Sequence, residues 1–337
     1  MQRKYRSVVR SRLAPALAAL AANVLGFLSS ATAQDACPYV PPTIIDRLVP
    51  ASVVSDYRSV LQACRRGADQ RVAIRAMTIA GKPWLLLVDP AALTTRVEAA
   101  ACWTCAPAAD SQLQETRFIG AVERSAEAPG VAYRTFFINA GLTRGAGPGD
   151  FITGDLCPSR RPLDRRFFEK LEANGRGTPV ALSISGLWLK HHADDLQWLR
   201  EQARSGALDI VWANHTYHHP YVKGRADDQT FLLTEGIDPD FEILETERLL
   251  IANGGTPSVF FRFPGLVSSS SLMQAVRQHH LITIGADTWL AKGQKPRPGS
   301  IVLVHPNGNE EIGLSMFDRD YDAGTIERPL EPIIAAP

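Results

Sequence analysis

Three of the eight histidines in this 337-residue chain fall within five positions, in the segment Trp-Ala-Asn-His-Thr-Tyr-His-His-Pro at 212–220. Imidazole is the commonest nitrogen ligand for a metal and the side chain that titrates nearest neutrality. His215 and His219 stand four apart. With Thr216 opening a helical turn, positions i and i+4 face one way, and two imidazoles converge on one ion. Two such nitrogens, one carboxylate and a position open to water describe a hydrolytic metal site. Asp155 is the best-placed carboxylate. His218 is expected to face elsewhere, and Tyr217 to pack.

These groups need a scaffold, and the chain from 151 onward supplies the pattern of one. Strand-like apolar runs recur at 151–153 (FIT), 180–185 (VALSIS), 208–214 (LDIVWAN), 258–263 (SVFFRF), 281–286 (LITIGA) and 300–304 (SIVLV). Helical patterns lie between them at 164–174, 194–204, 240–253 and 270–279. Such alternation implies an α/β fold with a parallel sheet, open or closed into a barrel, whose active groups gather where strands end. Asp155, His215, Arg262, Asp287 and His305 all stand at or near such ends. They are taken as one constellation.

Four short motifs then fall in a telling order: H-T-x-x-H at 215–219, R-F-P-G at 262–265, D-T-W at 287–289 and I-V-L-V-H at 301–305. Over 151–317, about half the chain, this resembles the polysaccharide deacetylases, carbohydrate esterase family four. The resemblance implies a distorted (β/α) barrel that hydrolyses an N-acetyl group on a glycan. It implies His215 and His219 as the metal pair and Arg262 as the residue orienting the catalytic carboxylate. His305 would be the general acid, oriented by Asp287. Pro264 would shape the groove, while Trp289 and Leu303 would line the acetyl pocket. Imidazole and carboxylate ligands suit a divalent ion, zinc first, with cobalt or nickel as alternatives.

The first motif departs from the family. Where the family carries T-F-D-D, this chain has T-G-D-L-C at 153–157. Asp155 takes the position of the base, and Leu156 that of the metal ligand. Either Asp155 also ligates the ion, or another group joins the two histidines, or activity is lost. Glu235 and Asp164 are conceivable substitutes without support from spacing. Cys157 is a soft ligand in principle, expected instead to pack beside the site. The loss of activity would leave an inactive deacetylase-like protein that binds glycan or acts as a scaffold. A reading from a third class makes the Cys102-Trp-Thr-Cys105 motif a thiol–disulfide centre.

The rest of the chain bounds the setting. Arg3, Lys4, Arg6, Arg10 and Arg12 precede an apolar stretch at 13–28 and small residues at Ala31 and Ala33, the order of a secretory signal peptide over 1–33. Its removal would take the formal charge from +1 to −4, a poor footing for nucleic-acid binding. Export to the periplasm or the medium is expected, with no stable membrane insertion after cleavage. Residues 34–145 read as a smaller α+β region, ahead of a deacetylase-like domain at 151–325, with a glycine-rich loop or linker at 141–150. In that region a helix is expected over 52–66, a hairpin from 71–79 and 83–88, and strands at 117–122 and 131–139. Cys37–Cys64 with Cys102–Cys105 is one of three pairings open to four of the five cysteines, leaving Cys157 over. His191, His192, His279 and His280 are expected to face solvent. Trp188, Trp198 and Trp212 are expected in the core.

Overall fold

The computed structural model describes residues 50–337, so the expected signal peptide and Cys37 lie outside the described residues. The chain enters on β1 (Val54–Arg66), a strand where a helix was expected. Helix formers such as Leu61, Gln62 and Arg65 are outweighed there, because β1 pairs along its length with β2 (Asp69–Ile79). The expected hairpin follows: β2 turns through Ala80 and Gly81, both at positive φ, into β3 (Lys82–Val88). With β4 (Thr95–Ala99) and β5 (Thr104–Pro107) these make an antiparallel sheet in the order β4-β3-β2-β1-β5. Cys64 and Cys105, opposed in register on β1 and β5, form a disulfide. Cys102 is also disulfide-bonded. Of the three pairings left open, this excludes Cys37–Cys64 with Cys102–Cys105, and it breaks up the Cys-Trp-Thr-Cys motif as a redox pair.

Two helices follow, α1 (Asp110–Leu113) and α2 (Arg117–Ala126). The second falls where a strand was expected. Thr116 caps it by accepting from Ile119 N, and Phe118, Ile119, Ala121, Val122 and Ser125 form its buried face. The short β6 (Val131–Ala132) and β7 (Phe137–Ile138) lead to the second half.

There the alternation seen in the sequence is realised. β8 (Phe151–Leu156) is followed by α3 (Arg165–Glu172), β9 (Thr178–Ile184), α4 (Gly186–His191), α5 (Ala193–Ser205) and β10 (Leu208–Asn214). Then come α6 (Pro239–Ala252), β11 (Pro257–Phe261), β12 (Val267–Ser268), which joins β6 and β7, and α7 (Ser270–Gln278). β13 (Ile282–Thr283), β14 (Thr288–Trp289), β15 (Ile301–Val304) and α8 (Glu311–Asp322) complete the chain. Seven of these strands form one parallel sheet, β13-β11-β10-β9-β8-β15-β14, an incomplete (β/α) barrel.

The glycine-rich stretch expected as a loop lies along the seam of that barrel. Leu142 bridges Ile284, and Arg144 bridges Ser300. The chain reaches the seam through Gly141, at φ 92°, where a Cβ would stand 2.4 Å from the Thr283 carbonyl oxygen. Only glycine fits there.

The sheet has two apolar faces, as strands covered on both sides require. Ile152, Leu156, Leu182, Ile184, Val302 and Val304 pack with Phe167, Trp188, Leu199 and Phe317 of the helices. Phe151, Ala181, Ala213, Ile301 and Leu303 belong to the other cluster, which also takes in Val72, Ile74 and Leu86 of the antiparallel sheet.

Candidate metal centre

Asp155 is the last residue of β8 on the second of these faces, and it is buried. A buried carboxylate needs a counter-charge. Arg262, just past β11 and fully buried, supplies it: Nη1 donates to Asp155 Oδ1 at 2.8 Å and to Thr153 Oγ1 at 2.8 Å, and Nη2 to the Gly285 carbonyl at 2.9 Å. Burial alone would raise the Asp155 carboxyl, but Arg262, His215 and His305 outweigh it and hold it down at about 2.

His215 follows β10 and is fully buried. Its Nδ1 lies 2.8 Å from the Arg262 carbonyl. A carbonyl only accepts, so Nδ1 carries the proton and Nε2 is the atom turned to the site. That Nε2 stands 3.6 Å from Asp155 Oδ2 and 3.5 Å from Cys157 Sγ. The His219 ring lies 4.8 Å from that of His215, and its buried Nε2 has no hydrogen-bond partner.

The two imidazoles converge as expected, although not on a helical turn. Thr216 and His219 have φ of 68° and 48°, left-handed values that break a helix. The loop is instead held by its neighbours. Asn214 Oδ1 accepts from Thr216 N, and Glu242 Oε2 of α6 accepts from both Tyr217 N and His218 N at 2.8 Å. His218 turns its Nδ1 to Glu242 at 2.6 Å, away from the site.

The donor atoms of Cys157, His215 and His219 all lie within 4.8 Å of one another, the group among the described residues able to hold a metal ion. An orphaned imidazole nitrogen beside a second one of set orientation fits a divalent ion. So does the field: burial would raise the Cys157 thiol, but His219, His305 and His215 hold it well below its ordinary range. Asp164 caps α3 and pairs with Arg166, and Glu235 is exposed. Neither belongs to the group.

His305, just past β15, is buried, and its Nδ1 lies 2.7 Å from Glu310 Oε2. Against burial, Cys157, Glu310 and Asp155 push the imidazole up to about 10. Glu310 is also the acceptor for Trp289 Nε1 at 2.9 Å. Asp287, expected to orient His305, is paired with Arg144 at 3.2 Å and Arg297 at 3.4 Å instead. Glu310 stands in its place, a residue that strand-end reasoning passes over because it follows the loop after β15. Leu303 and Trp289 pack in one apolar cluster, with the Trp289 ring 5.6 Å from that of His305. Pro264 is buried in the turn after Arg262, where Gly265 at φ 60° runs under the Phe231 ring. A cavity of about 980 Å³ lies at the other end of β10, lined by Asp209, Trp198 and Arg204 among others, and includes none of these residues.

No family model matches the chain. Solved structures similar to it include a family 4 carbohydrate esterase from Bacillus anthracis, at 16% identity over 59% of this chain and 87% of that one, TM-score 0.43. PdaA of Bacillus subtilis, also a family 4 carbohydrate esterase, is 16% identical over 68% and 90%, TM-score 0.43. The chitin deacetylase of Colletotrichum lindemuthianum is 14% identical over 57% and 88%, TM-score 0.42. These similar structures include members of the family that the motifs resemble.

Proposed function

We propose that this protein is an exported, metal-dependent hydrolase that removes N-acetyl groups from a glycan. One observation carries the reading: an arginine-paired carboxylate, two convergent imidazoles and a histidine ion-paired with a carboxylate meet at the ends of parallel strands. His215 and His219 would hold the ion, with a third protein donor beside them. A divalent ion there supplies Lewis acidity toward the amide carbonyl and a lowered pKa for water.

The chain's own groups do the rest. Asp155 accepts the proton of the attacking water, and Arg262 keeps it ionised and aimed through the 2.8 Å bond. An amine leaves poorly as an anion, so His305, kept protonated beside Glu310, gives its proton to the departing nitrogen. Trp289 and Leu303 wall the acetyl group, and Pro264 shapes the groove.

The test is acetate release from N-acetylated chito-oligosaccharides and peptidoglycan by protein loaded with zinc, cobalt or nickel. His305→Ala is expected to lower kcat by about 10²–10⁴ with metal content unchanged. No acetate from any N-acetylated glycan by metal-loaded protein would overturn the reading. Leu156 at the family's ligand position favours a second reading, an inactive glycan-binding protein, which predicts glycan binding without acetate.

A further inference from the structure

We infer that the third protein ligand of the metal site is the sulfur of Cys157, so that the ion is held by a Cys-His-His set and Asp155 is left to Arg262. The inference rests on the reading that His215 and His219 hold a metal.

Its first support is the period of a strand. Side chains alternate between the two faces, so Asp155 and Leu156, the last two residues of β8, face opposite ways, and Cys157, the first residue past the strand, brings its Sγ to 3.5 Å from His215 Nε2 on the side of Asp155. Leu156 is fully buried among Ile184, Trp188 and Leu189. A carboxylate at 156 with this backbone would enter the helix-covered core, and the next side chain on the site's own face is Cys157.

Distance is the second. Zinc binds sulfur at about 2.3 Å and imidazole nitrogen at about 2.0–2.1 Å, so a tetrahedral angle separates the two donors by about 3.6 Å. Cys157 Sγ and His215 Nε2 are 3.5 Å apart. Asp155 Oδ2 is as near to His215, yet it lies outside the group of mutually close donors, and its Oδ1 is bound to Arg262.

The environment is the third. A buried free cysteine is ordinarily a small apolar residue. Cys157 belongs to none of the apolar clusters of the described residues. Its carbonyl accepts from the fully buried Asn307 Nδ2 at 2.8 Å, which fixes the turn that delivers the sulfur. On binding, the ion displaces the thiol proton to solvent. A thiolate in the set favours zinc and cobalt over hard cations such as magnesium.

The experiment loads the full chain with Co(II) and reads its absorption. One equivalent should give a near-ultraviolet sulfur-to-cobalt charge-transfer band. That band should vanish in Cys157→Ser, whose metal affinity should fall by about 100-fold or more. Cys157→Asp should bind cobalt without the band. X-ray absorption on zinc-loaded wild type needs no variant and should show one sulfur at about 2.3 Å. Tetrahedral cobalt bound with no charge-transfer band, or zinc with nitrogen and oxygen neighbours alone, overturns the Cys157 assignment and leaves the deacetylase reading standing. A wild type that binds no metal, and is matched in this by His215→Ala, overturns both.

Discussion

Glu310 touches two residues of the site at once, with Oε2 taking the indole N–H of Trp289 and facing His305 Nδ1. With His305 as the proposed general acid, a carboxylate ion-paired to its ring favours the charged form without meeting substrate. Glu310→Gln keeps the shape and an acceptor while removing the charge. The expected result is a fall in kcat of roughly 10–100-fold, a part of what proton transfer contributes, with KM little changed. A loss in KM alone would show that Glu310 serves binding through Trp289 instead. The nearness of Asp155, His215, Arg262 and His305 was legible because each stands at or just after the end of an apolar run, and that of His219 from its spacing to His215. Glu310 was not legible because it stands after a loop, and Cys157 reads as a soft ligand but is expected to pack, since its nearness to His215 is set by the turn after β8 and not by any spacing in the sequence.

At the scale of the element, β8 has a carboxylate at each end, and the two behave oppositely. Asp155 is held low by Arg262. Asp150, just before the strand, is buried and accepts from Ser300 N at 2.9 Å and Glu327 N at 2.8 Å. Burial pushes it up to about 6 over the pull of those two amides, helped by the carboxylates of Glu327 and Asp287. A carboxyl whose folded pKa is raised binds its proton more readily in the folded than in the unfolded chain. Asp150 therefore contributes stability that grows as pH falls from about 6 toward the ordinary carboxylate range, and is absent above it. Asp150→Asn removes this term along with one acceptor. Chemical denaturation at pH 4.5 to 7 should show stability falling with rising pH more steeply in wild type than in the variant. Identical slopes would contradict the assignment. Strands β9 and β10 and helices α3, α5, α6 and α7 were readable from periodicity, caps and length. The two residues of β14 are too short for any period, β1 takes its form from pairing with the adjacent β2 against the helix propensity of its residues, and α2 from partners distant in sequence.

Across the whole molecule, the N-terminal sheet meets the residue that leads into the His215–His219 loop through a buried pair. Arg75 of β2 is fully buried and donates from Nε and Nη2 to Glu247 of α6, at 2.7 and 3.0 Å, and from Nη1 to the His279 carbonyl at 2.8 Å. Glu247 also accepts from Tyr57 Oη at 2.8 Å and from Asn214 Nδ2 at 3.4 Å. Asn214 is the residue before His215. His279, expected in solvent, is buried in the same joint, with Ser59 Oγ at 2.6 Å and Asp240 at 2.9 Å, and His192 is likewise buried, stacked on Trp188 and bound to Asp195. His191 is exposed as expected, whereas His279 is covered by β1 and α6, and His192 by the Ser159 loop and α5. Removing one partner of a buried pair strands the other charge and costs about 3–5 kcal/mol, whereas removing both is far milder. Arg75→Met should therefore lower stability by about that amount, and adding Glu247→Leu should recover part of it, since Tyr57 and Asn214 then lose only an acceptor. Denaturation midpoints of the two variants decide this. If Arg75→Met costs under about 1 kcal/mol, the pair is dispensable and the N-terminal sheet braces the loop by apolar packing alone.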